Sequence, residues 1–223
     1  MNRKSFVLLF SMVCVLVLSA CSSSPKYNGS TSGYKNPAPV STSKRELTES
    51  EKMLSKIEGL ESKKQVFNPG NYVKGDIPKG EYAFVGKGDI KYYCEKDAAG
   101  NIIDNENFES FGYVYVHGLG NVETRGILVS IHAFDDLGVT GAKELYEIIH
   151  DHHDYTQSGM YKIGADLPSG TYTVESIGQG YYALLSGPVG NNKIIDNDLF
   201  MGKTKVSTRN GQYLELSRAM LVD

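Results

Sequence analysis

His150-Asp151-His152-His153-Asp154 gathers three of the chain's five histidines with two aspartates in consecutive positions, and His132 lies not far upstream. If the helix expected before it runs on, His150, His153 and Asp154 stand at i, i+3 and i+4. They would then offer nitrogen and oxygen ligands to a metal from one side of a turn. The competing reading is that imidazoles at a helix C-terminus are favoured by the dipole, and that the polar run leads into a linker over 154–159. Asp76 and Asp166, and likewise Asp104 and Asp196, occur as corresponding pairs, suited to calcium or to turn capping. Cys94, in Tyr92-Tyr93-Cys94, reads as a small strand hydrophobe, since no motif ties it to a histidine base. Fifteen Tyr and no Trp fit either cross-strand pairs or an aromatic face for glycan or peptide. There is no Gly-x-Ser-x-Gly elbow, phosphate loop, His-Glu-x-x-His or Cys-x-x-Cys, and Gly118-Leu-Gly120 lacks the third glycine of a dinucleotide loop. No residue is assigned a catalytic role, and no cofactor is expected.

The most specific chemistry lies at Cys21. Asn2-Arg3-Lys4 is followed by an apolar run from Phe6 to Leu18, broken only by Ser11, and then by Leu18-Ser19-Ala20-Cys21. A run this short falls below the roughly 20 apolar residues of a spanning helix. A basic start, a short apolar stretch and small residues before a cut make a secretory signal. The Leu-Ser-Ala-Cys ending resembles the lipobox of bacterial lipoproteins, which implies a covalent diacylglycerol on the Cys21 thiol and cleavage just before it. A diacylglycerol with an amide-linked chain anchors stably where one acyl chain would not. The partner implied is a lipid membrane. The location implied is its extracytoplasmic face, or the outer membrane in a Gram-negative host. Cys14 leaves with the signal, so Cys94 has no intramolecular disulfide partner and stability must come from a core.

Lys plus Arg number 23 against 26 Asp plus Glu, for a net charge of -3. Without residues 1–20 the balance is 21 against 26, a net of -5, which argues against nucleic-acid binding. Residues 22–43 are rich in Ser, Pro, Gly and Thr with little aliphatic bulk, the composition of a flexible tether whose ends average roughly 25 Å apart. From 44 to 66 the pattern is helical. Ser43-Lys-Arg-Glu46 and Thr48-Glu-Ser-Glu51 both have capping-box spacing, and Leu47, Leu54 and Ile57 form a stripe with Met53 and Leu60 beside it.

The remainder is one unit written twice. Asp76-Ile77-Pro78-Lys-Gly80-Glu-Tyr82 aligns with Asp166-Leu167-Pro168-Ser-Gly170-Thr-Tyr172 at an offset of 90, Tyr92-Tyr93 with Tyr181-Tyr182 at 89, and Ile102-Ile103-Asp104-Asn105 with Ile194-Ile195-Asp196-Asn197 at 92. Laying Gly126–Ile131 on Gly211–Leu216 closes the alignment, with a seven-residue insertion in the first copy around Gly118 to Arg125. Period-two alternation, as in Tyr113-Val-Tyr115-Val, predicts short antiparallel strands, and Asp-Ile-Pro-x-Gly supplies the turn. In that turn the Asp oxygen is expected to take an N–H two residues on, and Gly a positive φ. Units of about 65 residues bury too little surface to stand alone comfortably, so the copies should pack together. A helix capped by Thr140, with Leu145, Ile148, Ile149 and His152 on one face, is expected between them.

Gly-x-Asp-Ile-Pro-x-Gly-Glu-Tyr, followed by Ile-x-Asn-x-x-Phe and closed by Gly-Gln-Tyr-Leu-Glu-Leu, resembles a small β repeat of exported lipoproteins and surface proteins of Gram-positive bacteria. The resemblance spans about 72–131 and 161–216. It implies a fold and a location, and no catalytic residues. The expected class is mainly β: two tandem antiparallel sandwich or barrel-like units with an N-terminal and a connecting helix. The expected divisions are signal 1–20, lipidated Cys and tether 21–43, helix 44–66, first repeat 67–138, connecting helix 139–156 and second repeat 157–223. The function expected is non-enzymatic display of a duplicated module for binding or scaffolding at the cell envelope, with an envelope protein or a glycan as candidate ligand. The alternatives are a metal-dependent envelope enzyme using 150–154, or a solute-binding protein using the cleft between repeats.

Overall fold

The computed structural model describes residues 45–222; Cys21 and the segments expected to be the signal and the tether lie outside the described residues. Thr48 caps α1 (Glu49–Glu61) through the reciprocal box with Glu51, one of the two predicted. Ser50, Met53, Ile57 and Leu60 turn inward, whereas Leu47 is 52% exposed. The buried stripe is therefore rotated from the predicted one, because the box starts the helix at Glu49 and leaves Leu47 ahead of it.

The first copy contributes β1 (Val66–Phe67), β2 (Gly70–Tyr72), β3 (Gly80–Gly86), β4 (Tyr92–Lys96), β5 (Ile102–Asn107), β6 (Phe111–Val116), β7 (Val122–Thr124) and β8 (Gly126–Ser130). A 3-10 turn, Ile131–Ala133, runs into the short α2 (Phe134–Leu137), and α3 (Ala142–His150) joins the copies. The second copy is β9 (Gly159–Lys162), β10 (Thr171–Leu185), β11 (Ile194–Phe200), β12 (Lys203–Ser207) and β13 (Tyr213–Val222). The structure is mainly β, in antiparallel sheets ordered β1-β8-β3-β6, β2-β7-β4-β5 and β11-β10-β13-β9, with β12 also on β10.

Pairing registers place the two copies on one topology. β3 takes β6 and β8, and β4 takes β5 and β7, while β2 lies on the free side of β7. In the second copy, the start of β10 takes β12 and the end of β13. Its far end takes β11 and the start of β13, which carries β9. β10 thus corresponds to β3 plus β4, and β13 to β7 plus β8. The β5 and β11 ladders even share a register shift, at Glu95/Lys96 and at Leu184/Leu185.

The closing strands differ from the sequence alignment. Tyr93 pairs with Thr124 and Tyr182 with Leu216, so Val122–Thr124 occupies the place of Leu214–Leu216 and no seven-residue insertion separates the copies. Matching Gly126 to Gly211 caused the slip. Gly126 is an in-strand glycine on which a Cβ would come within 2.5 Å of the Phe84 ring, whereas Gly211 holds a φ of 85° in a turn. One glycine answers a close approach and the other a left-handed backbone.

Four tyrosines lock the turns of both copies. Tyr72 and Tyr161 donate to the carbonyls of Asn68 (2.6 Å) and Gln157 (2.5 Å), and Tyr82 and Tyr172 to those of Pro78 (2.7 Å) and Pro168 (2.5 Å). The motif aspartates accept from N–H groups before them rather than after. Asp76 takes Val73 N at 3.0 Å and Asp166 takes Lys162 N at 2.7 Å. Positive φ falls at Gly75 and Gly164, upstream of the Asp, and at Gly80 but not at Gly170.

Candidate functional site

α3 ends at His150 because Asp151 adopts a left-handed φ of 52° and lets His152 N bond Glu147 O. Asp154 is left-handed as well. His153 and Asp154 therefore do not continue the helical spacing that would have placed them beside His150. His150 Nδ1 lies 3.0 Å from Tyr146 O, and the Tyr146 ring lies tilted against His150 (4.3 Å) and stacks with His152 (5.7 Å). Among the described residues, no three His, Cys, Asp or Glu side chains stand close enough to hold a metal ion. The segment instead walls a groove of about 700 Å³ against α1, with Lys52, Met53 and Lys56 opposite Glu147, His152 and His153. Ser50 Oγ donates to Ile149 O at 2.7 Å and Lys56 Nζ to Leu137 O at 3.1 Å, tying the groove's walls together.

The N-terminus of α3 is served by residues distant in sequence. Gly141 has no capping side chain, and the predicted cap, Thr140, gives its N–H and hydroxyl to Glu144 instead. Asp166 of the second copy accepts Lys143 N at 2.8 Å and the Tyr113 hydroxyl at 2.7 Å, and that hydroxyl oxygen accepts Ala142 N at 2.8 Å. Burial pushes the Asp166 carboxyl up, against the pull of these donors. Its place at a helix N-terminus nonetheless suits a negative charge. Beside it, Glu81 accepts Lys162 Nζ at 2.7 Å and the Tyr213 hydroxyl at 2.6 Å, with the ammonium lying over the rings of Tyr113 and Tyr213. This clasp joins both copies and the helix between them. It is a positioning device, with every polar partner matched.

No protein-family model, characterised protein or solved structure matches this chain.

Two further groups escaped the sequence reading. Glu95 is fully buried and accepts His117 N and Gly118 N at 3.0 Å, with His117 Nδ1 2.9 Å away. It pins the turn after β6 and holds the imidazole, whose Cε1 edge lies beside Gly190 of the second copy. Glu95 sits on a strand with both faces covered, which alternation does not reveal. The second is Glu215, in the cleft between copies together with Asp104, Glu106, Tyr181 and Leu185. Burial and the neighbouring Glu106 and Glu109 push the Glu215 carboxyl up to about 7. Burial raises Glu106 as well. Cys94 is buried, as a core residue.

The two motif Asp-Asn pairs meet different surroundings. Asp104, on β5, faces that cleft. Asp196, on β11, accepts the Tyr182 hydroxyl at 3.0 Å on an open edge. Residues 194–199 are all exposed.

Proposed function

We propose that the chain is a membrane-anchored exported lipoprotein that holds a duplicated β module at the extracytoplasmic face and binds an envelope partner through it, without catalysis of its own. The observation that carries the binding half is the free edge of β11. There Ile195 and Leu199 remain 50% and 59% exposed and Ile194, at the mouth of the cleft, 60%, grouped on one strand where the other exposed apolar residues, such as Val73, Ile90 and Leu119, are scattered. Exposed apolar side chains grouped along one edge mark interaction surface more often than chance decoration. The anchoring half rests on Leu18-Ser19-Ala20-Cys21 after a basic and apolar leader. Among the described residues no helix is long and apolar enough to cross a membrane. The metal-dependent reading has lost its helical geometry at 153–154 and is not carried forward.

Labelling cells with a clickable palmitate analogue tests the anchor. The wild-type protein should carry label and sediment with membranes, and Cys21→Ser should lose the label and its lipid attachment. An unlabelled wild-type chain would overturn it.

A further inference from the structure

Among the described residues β11 pairs only with β10, which leaves one row of its backbone N–H and C=O groups without a strand partner there. Asp196 and Asp198 share one face of the strand with Tyr182, and Asn197 and Leu199 share the other with Tyr181. Among the described residues Asp198 makes no hydrogen bond or ion pair. The nearest cations along the chain, Lys193 and Lys203, lie beyond the two ends of the strand, and Lys203 is 3.5 Å from Glu175. Met201, just past the strand, is 78% exposed.

Edge strands left for solvent are commonly blunted by charge, proline or shortness. β11 is seven residues long, lacks proline and keeps apolar side chains at both ends, so its two aspartates do not blunt it against every partner. They select. A second copy of this chain pairing antiparallel about Asn197 would set each Asp196 against the other's Asp198, placing like charges directly opposite. A strand with lysine or arginine at those positions would convert both repulsions into attractions, while its flanking side chains covered Ile195 and Leu199. The corresponding edge of the first copy does not offer this, because Asp104 and Glu106 on β5 are turned into the cleft against the second copy.

We infer that β11 is a docking edge for an extended protein segment with basic residues at its centre and apolar or β-branched residues around them, added as one more antiparallel strand. This rests on the binding role proposed above and names the chemistry of its partner.

The test uses the full chain and two labelled synthetic peptides, Val-Thr-Lys-Thr-Lys-Thr-Val and its counterpart with glutamate at both lysines. The lysine peptide should bind with amide NMR shifts concentrated in residues 194–200, and added salt should weaken it. Asp198→Lys, an exposed change that leaves the Asp196–Tyr182 bond in place, should weaken the lysine peptide by roughly threefold to tenfold and strengthen the glutamate peptide, so that the variant no longer prefers either. Equal binding of both peptides by the wild-type chain, shifts mapping elsewhere, or no binding of the lysine peptide by about a millimolar would overturn the inference. Palmitate labelling of Cys21 is read separately, so failure of the docking edge and failure of the anchor give different results.

Discussion

β6 and β12 hold the same place in their two copies and face opposite surroundings. Tyr82 pairs with Val114 on β6, and Tyr172 with Val206 on β12, so Phe111 and Tyr113 correspond to Lys203 and Lys205. In the first copy those positions are fully buried aromatics, with Phe111 5.0 Å from Tyr161 and Tyr113 5.5 Å from Tyr213 across the junction. Val114 and Val189 add a parallel bridge, with Tyr115 N donating to Val189 O at 2.7 Å. In the second copy the same positions are exposed lysines. The repeat therefore has one sticky β6 face, used once, and a solvated version that offers no place for a third unit. Duplication set the backbone, and a few side chains decided where it stops.

The largest expected effect comes from erasing that difference. Phe111→Lys with Tyr113→Lys, which writes the β12 residues into β6, buries two ammonium groups where only the Asp166 carboxyl, beside position 113, could partner one of them. It should cost more than about 5 kcal/mol, enough to abolish the cooperative urea transition. The reverse change, Lys203→Phe with Lys205→Tyr, should alter stability by less than about 1 kcal/mol. It should instead make the protein self-associate, seen as a concentration-dependent sedimentation coefficient. Comparable losses from both double variants would mean the two faces are equivalent after all.

The motif aspartates come next. Asp76 accepts one backbone N–H at the surface, whereas Asp166 holds Lys162 N, Lys143 N and the Tyr113 hydroxyl together. Asp166→Ala should cost about 3 kcal/mol, combining a lost helix cap with stranded donors. Asp76→Ala should cost about 1 kcal/mol or less. Chemical denaturation measures both, and equal costs would show that the α3 cap adds nothing to the turn.

What could be read along the chain was what neighbours in sequence determine. Asp-Ile-Pro-x-Gly turns, period-two strands and the Thr48–Glu51 box depend on residues a few positions apart, so the β class, the duplication and both longer helices were legible. Asp166 as a cap for α3 was not, because its partners, Lys143 and Tyr113, lie 23 and 53 residues away. Glu95 in its buried turn and Glu215 in its cleft escaped for the same reason, since each is defined by another strand's side chains. The histidine run misled because a helix was extended past Asp151, whose left-handed backbone ends it. Aspartate visits that conformation more readily than most residues, but no local pattern made the stop certain.

Glu123 and Glu215 sharpen the comparison on a smaller scale. They occupy matching positions, opposite Cys94 and Ala183. Glu123 pairs with the Arg125 guanidinium at 2.6 Å, and the residue corresponding to Arg125 is Ser217, which donates to Glu109 instead. Glu215 is thus left with carboxylates for company and a carboxyl pushed up to about 7. A folded value above the unfolded one means that the protonated group favours the fold. That contribution is complete below about pH 4.5 and is lost as pH rises through about 7. Glu215→Gln should match wild type near pH 4.5 and exceed it by about 2 kcal/mol at pH 8. Parallel stability curves for the two proteins would remove Glu215 from the account.

The smallest effect separates the paired tyrosine locks. Tyr82 and Tyr172 make the same bond to a proline carbonyl four residues back. Tyr82 is 3% exposed, and burial pushes its phenol up to about 12; Tyr172 is half-buried. The Tyr82 bond is part-buried and the Tyr172 bond exposed, so solvent replaces the lost donor more readily at Tyr172. Tyr82→Phe should therefore cost about 1 kcal/mol and Tyr172→Phe about half of that or less. Thermal unfolding should show a lower midpoint for Tyr82→Phe than for Tyr172→Phe. If the order is reversed, solvent access is not what distinguishes the two turns.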